Sequence, residues 1–152
     1  MDKRPDTNAT VQPDTAAEAQ QVREYLDGMP PINIGALLMP PIWGPAKGIW
    51  ATILWYPLWL FADNCIFAWW SEGSMLATIT GFLTLVLLIA VTILFARLSA
   101  PVAALRAIHK GKTKEEFQHG ERVWAIITFF LAVVFIGIAT YYNLCVRVPL
   151  VA

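Results

Sequence analysis

Asp63 is the only acidic residue inside the long apolar runs of this chain. A carboxylate at mid-bilayer costs about 2.5–3.5 kcal/mol on insertion scales, so such a group turns toward a helix bundle or toward water. At ~100° per residue, Thr52, Tyr56, Trp59 and Asp63 fall within about 60° of one another on one helical face. Two chemistries fit. One is a proton or cation site; the other is a structural carboxyl bonded to Tyr, Trp, Asn or backbone groups, or reaching interfacial water near the helix end. With neighbouring Trp55 and Asn64, these residues form the candidate polar and partner-contacting face.

Other chemistry fails on inventory. A paired-carboxylate protease site needs a second acid beside the first, and the runs hold none but Asp63. A Ser–His nucleophile needs a histidine at the same depth, yet His109 and His119 both lie in a basic segment outside the runs. They flank Gly111 without a further ligand pattern, so no metal or haem is expected. Cys65 and Cys145 match no zinc or redox spacing; two small apolar helix residues or a disulfide near the outer side are the alternatives. Gly35, Gly44 and Gly48 sit among prolines without the GK[ST] ending of a phosphate loop. The formal net charge is zero, which removes the general argument for nucleic-acid binding. We therefore expect no enzyme activity and no cofactor.

The elements that position these residues are apolar and helical. The chain has 152 residues, 57% hydrophobic and only 14% charged, as expected of one small membrane domain. Residues 75–96 and 123–146 contain no Asp, Glu, Lys, Arg or His; each is long enough to cross a hydrocarbon core of about 30 Å as an α-helix. Residues 49–70 form a third such span, with Pro57 near its middle expected to kink it. The short 71–74 link demands an antiparallel hairpin. Seven Trp and four Tyr, several at the ends of the runs, suit the membrane–water interface. The fold class is thus an all-α integral membrane protein with three spans in residues 29–152.

Outside the spans, residues 1–14 are rich in Pro, Asp, Asn and Thr and read as a disordered tail. The first 30 residues contain no apolar leader core, so no cleavable signal peptide is expected. Thr15-Ala16-Ala17-Glu18 has capping-box spacing and opens an amphipathic helix over 15–28, expected to lie on the membrane or a partner. Residues 32–47, broken by Pro40, Pro41 and Pro45, read as an interfacial or re-entrant segment, with a short first span folded against its neighbour as the alternative. In the 97–122 connection, Pro101 starts a short amphipathic helix on the membrane surface, which Gly111 ends. Thr113-Lys114-Glu115-Glu116 repeats the capping-box spacing and starts one long helix from about 114 to 146.

Orientation follows from the basic residues. Arg97, Arg106, Lys110, Lys112, Lys114 and Arg122 crowd the 97–122 connection, whereas the 71–74 link has none. The connection and the amino terminus are expected in the cytoplasm and the carboxyl end outside. The basic connection can touch anionic lipid headgroups, a contact that would orient the protein rather than define an activity. Ala77, Gly81, Thr84 and Thr92 on the second span, and Thr128, Ala132, Ala139 and Asn143 on the third, are expected to pack within the unit.

Two blocks carry a family likeness. Asn33-Ile34-Gly35-Ala36-Leu37-Leu38-Met39-Pro40-Pro41-Ile42-Trp43-Gly44 resembles the Asn-Trp-Gly-Ala-Phe-Leu-Leu…Trp-Gly block of a family of small uncharacterised bacterial inner-membrane proteins. Lys114-Glu115-Glu116-Phe117, Glu121-Arg122 and Trp124-Ala125-Ile126 resemble its second block, in which Gln precedes the basic residue and Trp-Ala-Ile follows. Ile34 stands in place of Trp and Glu121 in place of Gln. The resemblance, over about residues 32–130, implies a bacterial inner-membrane setting and no particular reaction. It also implies that the Pro/Gly-broken segment and the 117–124 helix start form one structural unit.

Two roles remain in view. The first is a non-enzymatic accessory subunit, assembly factor or scaffold whose partners are lipids and either a membrane protein or further copies of itself. The alternative is an oligomeric small transporter or channel using Asp63 as its proton or cation site.

Overall fold

The computed structural model describes residues 15–148; the tail expected over 1–14 lies outside them. Six α-helices account for most of the described chain, and no strand occurs among those residues. They are α1 (Ala16–Leu26), α2 (Ile34–Leu38), α3 (Pro40–Ala46), α4 (Trp55–Glu72), α5 (Met75–His109) and α6 (Lys114–Tyr141). A 3-10 turn over Trp50–Leu54 precedes α4, and a π-helical turn over Tyr142–Arg147 extends α6. By length and composition, α5 and α6 with its extension are each able to cross a membrane.

Local chemistry sets most boundaries. Asn33 Oδ1 accepts from the Ala36 amide at 3.0 Å and opens α2. Met39, ahead of Pro40, leaves helical geometry at φ −139°, ψ 66°, because the proline ring crowds an α conformation in the residue before it. Pro40 and Pro41 then occupy the first positions of α3, where a missing amide hydrogen costs nothing. Between α4 and α5, Gly73 takes φ +62° and Ser74 Oγ accepts from the Ala77 amide at 3.2 Å. This left-handed stop followed by a cap folds the hairpin expected at 71–74. At α6 both halves of the capping box are present: Thr113 Oγ1 accepts from Glu116 N, and Glu116 Oε2 accepts from Thr113 N. At α1 the box is half made, since Thr15 caps Glu18 N while the Glu18 carboxylate meets His109.

Two sequence expectations change. The span expected over 49–70 is not one kinked helix. Pro57 stands in the first turn of α4, where its absent N–H breaks no helical bond, and the chain before it is the 3-10 turn. The 97–122 connection is not a loop carrying a separate surface helix: α5 runs through the exposed Pro101 to His109, leaving only a four-residue link before α6. Burial offsets the lost bond there, because Ala96, Ala100, Ala103, Ala104 and Ala107 form a small-residue face packed against the rest of the chain. Helix α1 packs against α5 and α6. Val22 is buried there, Tyr25 Oη donates to Lys112 O at 2.6 Å, and Gln118 Nε2 donates to Asp27 O at 2.9 Å. Residues 32–47 form the two short helices α2 and α3, which pack into the core through Ala36 and Trp43.

That core lies at one end of the molecule. It joins Val22, Ala36, Trp43, Ala103, Ala104, Leu105 and Phe117 from α1, α2, α3, α5 and α6. Helix α5, 35 residues or about 52 Å long, spends its last turns in this base. Away from it, α4 pairs with α5 as the hairpin requires. A Cβ on Gly81 would meet Trp69 Cβ at 2.6 Å, so glycine sets the closeness of that pairing. The outer faces of α5 and α6 carry large uncovered apolar side chains, Leu87 and Ile136 among them.

Candidate functional site

Two polar centres hold the molecule together at opposite ends. The first is built around Glu121, which is only 5% exposed. Phe117, Glu121, Trp124 and Thr128 follow one another at helical spacing and share the inward face of α6; Phe117 and Thr128 are buried with Glu121. Glu121 Oε2 accepts from Asn33 Nδ2 at 2.7 Å and from Trp43 Nε1 at 3.1 Å. Its Oε1 faces the Lys47 ammonium as an ion pair and takes no directed hydrogen bond. The carboxylate is thus held by residues from the start of α2, the middle of α3 and the turn after α3.

Each partner is itself positioned. Asn33 is clamped by its cap on α2 and by its own amide, which donates to Ala96 O on α5 at 3.1 Å. Trp43, with no exposed surface, crosses α2 at Gly35, where a Cβ would stand 2.5 Å from its Cδ1. Gly44 abuts Thr52 so closely that a Cβ would lie 2.7 Å from Thr52 Cβ and closer still to Oγ1. Arg106 Nη1 donates to Lys47 O at 3.0 Å and secures the turn from which Lys47 reaches Glu121. An edge-to-face contact joins Trp43 to Phe95, and Phe95 in turn lies 4.8 Å from the Trp55 ring. The Pro/Gly-broken segment and the 117–124 helix start therefore meet as one unit through Glu121.

Asp63 anchors the other end. Its Oδ1 accepts from Asn143 Nδ2 at 2.8 Å and its Oδ2 from Arg147 Nη1 at 3.1 Å. Arg147 Nη2 also donates to Asn64 Oδ1 at 2.6 Å, and the guanidinium carbon lies 3.8 Å from the Phe67 ring centre. The Asp63 side chain is 38% exposed, and this pair ties the end of α6 to α4. A carboxylate already bound to a guanidinium and an amide is a clasp.

The remaining candidate residues separate. Thr52 is buried in the 3-10 turn, where its hydroxyl donates to Ile49 O at 2.7 Å, so it does not continue the Asp63 face. Tyr56 and Trp59 stack edge to face with each other on α4. Trp55, half-buried, packs on Phe95 and reaches Thr92 at 3.5 Å. Asn64 donates to Leu60 O as well as accepting from Arg147. Cys65 and Cys145 are free thiols. His109 pairs with Glu18 at 3.1 Å, and no group of three potential metal ligands occurs among the described residues.

Sequence reasoning missed Glu121 as a centre and Arg147 as the partner of Asp63. The signal for Glu121 was present, because it shares helical spacing with Phe117, Trp124 and Thr128, and a charge on an apolar face needs a partner. No family model, no curated protein and no solved structure matches this chain.

Proposed function

We propose that this chain is a non-enzymatic membrane protein acting by association, as an accessory subunit, assembly factor or scaffold. The observation that carries this reading is the division of its surface. The buried Glu121 and the partly exposed Asp63 are bonded to the chain's own amides and cations, while α4, α5 and α6 turn large apolar side chains outward. Soluble monomers rarely expose contiguous apolar patches beyond a few hundred Å2. Faces of this length suit lipid and the helices of a neighbour.

Three crossings are proposed: α5, α6 and α4 with its 3-10 lead-in, the basic base in the cytoplasm of a bacterial inner membrane and the Asp63–Arg147 clasp near the outer side. Helix α4 alone, 18 residues long, spans about 27 Å. The base, with Arg97, Arg106, Lys110, Lys112, Lys114 and Arg122 around it, follows the positive-inside rule. Membership of the resembled family of small inner-membrane proteins is part of the same proposal. The transporter alternative draws no support from Asp63, whose charge is matched by Arg147.

Gentle detergent extraction followed by size exclusion tests the association role: one stoichiometric membrane partner is expected. A monodisperse lone chain that crosslinks to nothing in the membrane refutes it. A Lys112→Cys variant in a chain with Cys65→Ala and Cys145→Ala tests the orientation, since an impermeant thiol reagent added to sealed cells should leave it unmodified, with an outer-face cysteine in the same background as positive control. Ion flux through liposomes that is abolished by Asp63→Asn would replace the association reading with the transporter.

A further inference from the structure

On the base, a cavity of about 100 Å3 opens between the turn after α3, the end of α5, the α5–α6 link and the first turns of α6. Four cations line it: Lys47, Arg106, Lys110 and Lys112. Lys47 is matched by Glu121. Among the described residues, no carboxylate lies within ion-pair distance of Arg106, Lys110 or Lys112. Glu116 is the one carboxylate in the lining, and its Oε2 is engaged by the Thr113 amide at 2.9 Å. Three cations therefore face a single acid that is already hydrogen-bonded. The pull of a helix C-terminus on positive charge accounts for Arg106 and Lys110 near the end of α5. Neither that pull nor the Lys47–Glu121 pair accounts for Lys112, which joins them from the α5–α6 link.

The opposite wall is apolar, formed by Phe117 and Trp124, where α6 enters its uncharged run. A Cβ on the intervening Gly120 would meet nothing within 4 Å, so glycine leaves the mouth open there. The space, open on one side, admits at least one tetrahedral oxyanion.

We propose that this cavity binds a phosphate group, supplied by an anionic lipid headgroup or by free phosphate. Arg106, with Nη1 held by Lys47 O, contributes its charge and remaining N–H donors, and Lys110 and Lys112 contribute mobile point charges. The site goes beyond the association role and does not depend on it, since the free-phosphate arm of the test needs neither a membrane nor a partner.

The test uses the full chain, delipidated in a neutral detergent. Saturable binding is read by native mass spectrometry and by the thermal midpoint, with phosphatidylglycerol, phosphatidylcholine and inorganic phosphate as separate probes. Saturation by phosphatidylglycerol but not by inorganic phosphate or phosphatidylcholine identifies an anionic headgroup; saturation by inorganic phosphate identifies the free anion. Lys110→Ala with Lys112→Ala, both on exposed side chains, is expected to weaken the effective probe on the order of 30-fold. Arg23→Ala with Arg97→Ala removes equal charge from exposed positions outside the cavity and should change affinity less than about threefold, the shift left when only diffuse attraction is altered. Failure of both anionic probes to saturate, equal binding of phosphatidylcholine, an undiminished affinity in the lysine pair, or equal losses in the two double variants each overturns the proposal. Far-UV circular dichroism confirms that both double variants retain their helices.

Discussion

The buried ion pair between Lys47 and Glu121 makes the sharpest prediction about how the base is held. The side chains of Lys47 and Glu121 are 17% and 4% exposed, so both charges are largely removed from water. Lys47→Met leaves the carboxylate buried with only the two hydrogen bonds from Asn33 and Trp43. Breaking a buried pair from one side costs about 3–5 kcal/mol. Glu121→Gln preserves an amide oxygen for those two donors but sets a neutral amide against the ammonium, at about 1–3 kcal/mol. Combining the substitutions removes both charges together and is expected within about 2 kcal/mol of the parent. The double variant should therefore be more stable than Lys47→Met alone. A denaturing-detergent titration in mixed micelles, followed by circular dichroism, gives all four corners of the cycle. Single costs that sum to the double within about 0.5 kcal/mol would show that the pair is not coupled, and the reasoning about the base would be wrong.

Three further outcomes follow from the same structure. Gly44→Ala forces a methyl into Thr52 and should destabilise by about 1–3 kcal/mol in thermal unfolding. Adding Thr52→Ala should recover only part, because Thr52 Cβ itself lies 2.7 Å from the new carbon. Arg147→Ala opens the Asp63 clasp, but with Asp63 over a third exposed the cost should stay below about 1 kcal/mol; a larger drop in midpoint would mean the pair is better shielded than its geometry implies. Thr113→Ala removes the cap of α6 and should cost about 1 kcal/mol by the same titration, with little change in helix content beyond the first turn.

What could be read from the residues was local. The Thr113–Glu116 box, the Gly73–Ser74 hairpin and the long helices through 75–96 and 123–146 all follow from bonds and side-chain spacings a few positions apart. Pro57 and Pro101 were misread for one reason. A proline's effect depends on whether its missing amide falls in a first turn, as at Pro57, or on a helix that packing maintains, as at Pro101. Position in the chain alone does not distinguish these cases.

The amino-acid sequence by itself determined that this protein is built from long apolar helices with few charges to spare, because hydropathy and helical period are properties of neighbouring residues. Only the tertiary structure decided which charges are spent on which. Asn33 finds Glu121 across 88 positions, and Asn143 finds Asp63 across 80. Such pairs depend on where whole helices come to rest, and helix placement reflects the packing of Trp43, Phe117 and the alanine face of α5 together. The physical reason is range. A cap or an apolar stripe is set within a turn or two of helix, whereas a buried carboxylate is satisfied by whichever donors the assembled core delivers to it.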